Sequence, residues 1–306
     1  MFIKFLFNQV KCLQALSRSL LCLLALCSML FVGSVSAADK IIVSGASGQL
    51  GSLVVKELLA RGVAPTDLIL ISRSVEKLDD YAKMGAAVRF GDFTKPESLA
   101  AAYVGGDRML LISIGGENRP TYHKAAMDAA KAAGVKQIAY TSFVNMENNT
   151  SALANDHRQS EKFLKESGVA WTMLRNQIYM ETVLTQAAEI AAAGEVMVLP
   201  VEDKIAYVTR ADCAAAAAAV LTTPGHDNKA YNITGPSPVG SSDVGKAVAL
   251  ATGKTIDINV DTNANPGFAA MVGGSAVLLS TNTVEVLTGR PATSIEQFIA
   301  ANKSSL

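Results

Sequence analysis

Lys40-Ile41-Ile42-Val43-Ser44-Gly45-Ala46-Ser47-Gly48-Gln49-Leu50-Gly51 runs from an apolar, β-branched stretch into three glycines, each three positions from the next. Residues 49–61 continue with Leu50, Val54, Leu58 and Leu59 at the spacing of one helix face. A tight strand-to-helix turn needs a residue without a Cβ. A pyrophosphate needs close access to the backbone, and the amides and positive end of the helix then hold the anion. The spacing is G-x-x-G-x-x-G, not the more usual G-x-G-x-x-G. Its weight comes from its place between this strand and this helix. Gly45, Ser47, Gly48, Gln49 and Leu50 are therefore expected to bind a dinucleotide.

Working outward, further apolar strands are predicted at 67–72, 87–90, 108–114, 137–142 and 170–174. Helices are predicted between them at 75–84, 96–104, 121–133 and 154–167. Near-continuously apolar strands alternating with helices imply a parallel sheet covered on both faces. The fold class is α/β, a Rossmann-type doubly wound parallel sheet over residues 39–176. After that the pattern loosens. Helices at 182–193, 211–222 and 241–252 and strands at 231–234 and 255–260 are interspersed with Pro200, Pro224, Pro236, Pro238 and Pro266. Residues 177–306 read as a small C-terminal α+β substrate lobe, with segments returning to the sheet.

The end of the second strand selects the cofactor. An NAD binder usually carries Asp or Glu there for the ribose hydroxyls. Here stand Ser72-Arg73-Ser74. Beside a 2′-phosphate, Arg73 would make a charge-assisted, bidentate contact, so NADP(H) is expected; the bland reading makes it a solvated surface residue. Asp92, after the third strand, either accepts from an adenine amino group or serves as a turn or cap residue before Pro96. Ser113 and Ile114 end the fourth strand and Thr141, Ser142 and Phe143 the fifth, beside the expected nicotinamide.

Composition excludes several classes. Of 306 residues half are hydrophobic, enough for a large core, and 27 basic residues balance 27 acidic ones. Without a basic excess or stripe, no nucleic-acid partner is expected. Residues 1–38 read as a signal peptide or N-terminal anchor: Lys4, Lys11 and Arg18 precede or punctuate an apolar stretch ending in Val35-Ser36-Ala37-Ala38. That implies an exported, periplasmic or membrane-anchored protein, the alternative being a cytoplasmic one with a mis-assigned start. Free NADPH is not expected outside the cytoplasm, and the leader has no twin-arginine pair. Cys12, Cys22 and Cys27 lie in this leader, leaving Cys213, amid alanines, as a small core residue. His123 and His226 lack partners at metal-ligand spacing, so no metal is expected. A membrane partner is expected only through an uncleaved leader, and a homodimer is compatible with the reading.

Residues 44–51, Ala132-Ala133-Gly134-Val135-Lys136-Gln137-Ile138-Ala139-Tyr140-Thr141-Ser142, Leu174-Arg175-Asn176, Thr209-Arg210-Ala211-Asp212 and Tyr231-Asn232-Ile233-Thr234-Gly235 carry a resemblance over nearly the whole chain after the leader. Together they resemble the NmrA-like, atypical short-chain dehydrogenase/reductase family, in its branch of NADPH-dependent quinone oxidoreductases and triphenylmethane reductases. The leader departs from that pattern. The resemblance implies a cleft between Rossmann domain and C-terminal lobe. Ordinary short-chain dehydrogenases use a Tyr-x-x-x-Lys pair; here His157 and Glu161 resemble its replacements.

Ketone reduction develops a strong alkoxide and needs a positioned proton donor. A quinone develops a stabilised, phenolate-like oxyanion and mainly needs the hydride placed within contact distance. The missing pair therefore favours a quinone or similar electron-poor conjugated acceptor. The alternative is a non-catalytic, NADP(H)-binding redox-sensing regulator. His157 either donates a proton to the reduced oxygen or is a helix-start residue bonded to backbone. Asn176 is expected to orient carboxamide or substrate. Tyr179 either lines the acceptor pocket or packs in the core. Glu161 is expected to be a solvated helix residue and Tyr140 a structural one.

Overall fold

The computed structural model describes residues 39–262 and 272–306. The leader with its three cysteines, and Pro266, lie outside the described residues. The main sheet has seven strands: β1 (Ile41–Ser44), β2 (Leu68–Ser72), β3 (Ala87–Phe90), β4 (Arg108–Leu111), β5 (Gln137–Phe143), β6 (Ala170–Asn176) and, past the short β7 (Glu195–Val198), β8 (Lys229–Ile233). Their order is β3-β2-β1-β4-β5-β6-β8, and every neighbouring pair is parallel. Chain order reverses beside β1, which pairs with β2 on one side and β4 on the other. Such a switch point opens a crevice at the carboxyl ends of the strands.

Burial explains the near-continuous apolar runs. β1, β2 and β5 are buried at every position, whereas the edge strands β3 and β8 are only partly so. Alternate side chains leave the sheet on opposite faces. Ile41, Val43, Leu68 and Leu70 meet helices α1 (Gln49–Ala60) and α7 (Arg210–Thr222). Ile42, Ile69, Ile71, Met109 and Tyr140 meet α3 (Leu99–Tyr103), α4 (Arg119–Ala132) and α5 (Ala152–Glu166). Burying each Leu or Ile is worth about 1.5–3 kcal/mol. In α7 the six alanines from Ala214 to Ala219 are all buried, as is Cys213. A helix apolar all round belongs inside, and its shallow surface lets α1 come close.

The C-terminal part has its own core. α6 (Leu184–Ala193), α8 (Ser241–Thr252) and α10 (Ile295–Ala301) enclose Ile190, Val196, Val198, Val248 and Phe298. A second parallel pair, β7 with β9 (Asp257–Val260), flanks it. β8, however, belongs to the main sheet, and α9 (Thr283–Thr288) contributes Val284 to the core on the α1 side.

Several predicted elements are shorter than expected. The helix at 75–84 is a 3-10 turn, Val75–Leu78, followed by α2 (Asp79–Lys83). That at 96–104 likewise opens on the turn Pro96–Ser98. The strand expected to reach 114 stops at Leu111. Beyond it the Ser113 and Ile114 amides donate to the Thr141 hydroxyl (2.8 Å) and to His123 Nε2 (3.0 Å), not to a neighbouring strand. β7 was not expected, because Glu195-Val196-Met197-Val198 alternates exposed and buried positions instead of forming a fully apolar run. α10 was not expected either, although Ser294 and Gln297 form a capping box that the sequence spells out.

The Thr209-Arg210-Ala211-Asp212 stretch acquires a physical meaning. Thr209 caps α7, accepting from the Asp212 amide (3.0 Å). The fully buried Asp212 carboxylate accepts from the Thr209 hydroxyl (2.8 Å), Arg290 Nη1 (2.5 Å) and the Thr293 amide (2.9 Å). One side chain thus ties the helix start to the segment entering α10. Asp212→Ala leaves these donors unsatisfied and is expected to cost about 2–3 kcal/mol. A lowered urea midpoint at unchanged slope would show it; a midpoint matching the wild type would refute the assignment.

Candidate functional site

The glycine turn sits at the carboxyl end of β1, beside the switch point. Gly45 has φ +78°, a left-handed conformation that favours glycine. The amides of Gly45 and Ala46 both donate to the Ile71 carbonyl (3.0 Å each), pinning the turn to β2. Gly48 is the N-cap of α1, without a side chain to cap it, and the first turn of α1 carries no acid. The helical ladder begins with Ser52 N–H donating to Gly48 O (2.9 Å). The amides of Gln49, Leu50 and Gly51 ahead of it have no intrahelical partner. A Cβ on Gly51 would stand 2.1 Å from the Gly45 carbonyl oxygen, so only glycine lets helix and turn approach this closely. Positive, uncapped and stripped of side chains, this is the cradle an anion requires.

A cleft of about 570 Å³ opens from it, lined by Gly45, Ser47, Gly48, Ser72, Arg73, Lys77, Asp92, Ser113 and Ile114, among others. The Ser47 and Ser72 hydroxyls are 2.6 Å apart, and Ser72 Oγ also accepts from the Ser74 amide (2.8 Å). This arrangement closes the end of β2 with hydroxyls where an NAD binder has a carboxylate. Arg73 and Lys77 are exposed on the cleft wall. Lys77 was missed in the sequence because the 75–84 helix hid that its turn faces the second strand's end. Asp92 accepts from the Thr94 amide (3.0 Å) and hydroxyl (2.9 Å) while bordering the cleft. Burial would raise its pKa, but Thr94, Arg73 and Lys95 together hold the carboxyl below its ordinary value.

Toward β5 and β6 the expected residues form buried networks. Thr141 receives the Ser113 amide and donates to Ser113 Oγ (3.1 Å), fixing the loop after β4. Ser142 donates to Glu161 Oε1 (2.7 Å). Glu161 is not the solvated residue expected. It is buried and paired bidentately with Arg175, Nε to Oε1 and Nη2 to Oε2, both at 2.8 Å. The sheet explains this: Arg175 on β6 is the direct partner of Ser142 on β5, so its guanidinium arrives where α5 crosses. The Glu161 and Glu147 carboxylates hold that guanidinium's pKa above its ordinary value against a large desolvation penalty.

His157 is buried and bonded through Nδ1 to the Tyr140 hydroxyl (2.8 Å), not to backbone. The same hydroxyl lies 3.1 Å from His123 Nδ1. Tyr140 therefore joins two histidines instead of merely filling the sheet. Phe143, expected at the substrate, is buried and stacks on His157 with ring centroids 6.3 Å apart. Burial first, then Arg119, lowers His157 to about 3 and His123 to about 4. Asn176 ends β6 buried. Its Nδ2 is 3.5 Å from the Tyr179 hydroxyl, and its Oδ1 has no partner among the described residues. A buried orphan acceptor costs about 1–3 kcal/mol. Tyr179 lies under the Arg210 guanidinium (4.5 Å to the ring), and Arg210 pairs with Glu181 (3.2 Å). A second cleft, of about 480 Å³, has Val183, Ile205, Tyr207, Val239 and Val244 among its walls. Among the described residues no His, Cys, Asp and Glu group could hold a metal, and no helix is long and apolar enough to cross a membrane.

The comparisons agree with this geometry. A family model described as NAD(P)H-binding matches residues 45–224. The chain is 36% identical over 218 residues to quinone oxidoreductase 2 of Escherichia coli (strain K12), covering 71% of this chain and 76% of that protein. It is 29% identical to the NAD(P)H azoreductase of Xenophilus azovorans, covering 71% and 75%. Among solved structures, the Escherichia coli NADPH-dependent quinone oxidoreductase complexed with NADPH has a TM-score of 0.76 at 32% identity, covering 86% of this chain and 99% of that one. The Citrobacter sp. triphenylmethane reductase complexed with NADP(H) also scores 0.76, at 29% identity, covering 87% and 100%. The cofactor is NADP(H), and the residues of the first cleft fit it: bare amides for the pyrophosphate, two cations and no acid beside β2.

Two outcomes are expected. Arg73→Gln weakens NADPH binding about tenfold to a hundredfold and leaves NADH nearly unchanged, since only the 2′-phosphate loses a charged partner; calorimetric titration with both nucleotides checks this, and equal losses would refute it. The second concerns pH. In the fold both buried imidazoles are neutral, whereas the unfolded chain protonates them below about pH 6.5. The unfolded state then binds more protons, so stability is full above that pH and declines as pH falls toward 4. Between pH 6.5 and 5 the loss is expected to be about 2–4 kcal/mol, and His157→Gln should roughly halve it. Urea titrations across that range measure it; an undiminished slope in the variant rules it out.

Proposed function

This chain belongs to the NAD(P)H-binding family, in its NmrA-like, atypical short-chain dehydrogenase branch, and we propose that it passes hydride from NADPH to a quinone or a similar electron-poor conjugated acceptor. That it is an NAD(P)H-dependent oxidoreductase of the quinone reductase and azoreductase type follows from the relatives. The acceptor is the proposed part.

One observation carries the acceptor class. On α5, where a Tyr-x-x-x-Lys pair would supply a strong acid and a cation, stand His157 and Glu161. Glu161 is occupied by Arg175, and His157 is neutral. Neither can act as a cationic acid on an alkoxide. An acceptor that spreads its own negative charge needs no such acid.

When bound, NADPH supplies the hydride. The chain's residues do the rest. The amides of Gln49, Leu50 and Gly51 would hold the pyrophosphate, and Arg73 with Lys77 the 2′-phosphate. Asn176 Oδ1 offers an acceptor to the carboxamide N–H, which would fix the face presented to the acceptor. His157 offers a neutral imidazole N–H to the acceptor oxygen, which takes its proton finally from solvent. The cleft beside Val183, Ile205 and Tyr207, mostly apolar with Thr182, Gln186, Asp203 and Ser241 among its walls, has room for a planar conjugated ring.

Purified protein is expected to oxidise NADPH rapidly with a small benzoquinone and negligibly with cyclohexanone, followed by loss of NADPH absorbance. Asn176→Ala should lower kcat/KM about tenfold, some 1.4 kcal/mol of transition-state stabilisation. Equal turnover of the ketone would overturn the acceptor class. Tight NADPH binding without turnover of any acceptor would return the sensing alternative.

A further inference from the structure

We infer that His123 and Tyr140 are positioning residues that lock His157 as its Nε2–H tautomer, through a hydrogen-bond relay starting at the Ile114 amide beside the cofactor cleft. The direction of every link can be deduced. A backbone amide only donates, so the 3.0 Å contact from Ile114 N makes His123 Nε2 an acceptor, without a proton. His123 is fully buried and neutral, so its proton is on Nδ1. Nδ1 lies 2.9 Å from Ser160 Oγ and 3.1 Å from the Tyr140 hydroxyl. Ser160 spends its own proton on the Asp156 carbonyl (3.1 Å), so its oxygen accepts from His123.

Tyr140 is then constrained. Its oxygen can share the His123 proton but cannot donate back to a protonated Nδ1. Its short contact is to His157 Nδ1, at 2.8 Å, with the Ser160 hydroxyl as a further polar neighbour. Were His157 protonated at Nδ1 instead, the fully buried Tyr140 O–H would lose this 2.8 Å acceptor and have to compete with His123 for the Ser160 oxygen, which disfavours that tautomer. His157 therefore keeps its proton on Nε2, the ring nitrogen that the Tyr140 hydroxyl does not engage. The stacked Phe143 ring restricts the imidazole's rotation.

The relay has a consequence for the cleft. Ile114 lines it, and Ser113 beside Ile114 is clamped by Thr141. The loop that borders the dinucleotide is thus the same loop that sets, three links away, which nitrogen of His157 is a donor. The task given to that proton rests on the oxidoreductase reading; the tautomer does not.

The test is a ¹⁵N spectrum of the full chain labelled at its histidine rings, at pH 7, where protonated and bare ring nitrogens separate widely. His123 is expected bare at Nε2 and His157 bare at Nδ1. Tyr140→Phe should leave His123 unchanged and turn His157 into a mixture of tautomers. In the same variant kcat with benzoquinone should fall several-fold at unchanged KM for NADPH. A wild-type His157 protonated at Nδ1, or a Tyr140→Phe spectrum identical to wild type, overturns the relay, and the wild-type spectrum decides even if the variant fails to fold. The expected spectra in a protein that reduces no acceptor would uphold the relay and sink the proposed reaction instead.

Discussion

The absence of a side chain at Gly51 governs this molecule. Its missing Cβ lets α1 begin against the turn that ends β1, and the turn is tied by two amides to β2. Unpaired helix amides, the end of the second strand and the switch point of the sheet then converge on one cleft. Anion binding here needs no charged side chain at its centre. Charge enters only at the rim, where Arg73 and Lys77 line the cleft and would distinguish a phosphate from a hydroxyl.

The other half of the site is built on the opposite plan. Between β5, β6, α4 and α5 polar groups are buried, and nearly all are satisfied. Ser142, Glu161 and Arg175 compensate one another, and two histidines share a tyrosine. Buried networks of this kind are costly when incomplete and rigid when complete. Among the described residues the Asn176 and Gln137 amide oxygens are left over, and Asn176 is the one at the carboxyl end of its strand.

Much of the fold was legible in the sequence because parallel strands buried on both faces are written as apolar runs, and glycines punctuate them. Ile41–Ser44 followed by Gly45, Gly48 and Gly51 needed no tertiary information. Arg73 was legible through the acid it replaces. What escaped was set by partners distant in the chain. Glu161 has the polarity of a surface helix residue, and only the pairing of Ser142 with Arg175 across two strands takes it inside. Tyr140 and Phe143 read as core residues or pocket residues with equal ease, because a strand's alternation tells which face a side chain takes but not what waits there. β7 alternates exposed and buried positions and so lacked the apolar run that marked the other strands. α10 was announced by Ser294 and Gln297 and passed over.

The alanine stretch of α7 is more than filler. From Ala214 to Ala219 it backs the helix whose first turn would receive the pyrophosphate. Interior packing is too dense to absorb added methylenes without movement. A larger residue on that surface would push α1 outward and carry its amides away from the anion they must meet. Side chains that would never touch a nucleotide therefore act as the shim that sets where it would sit.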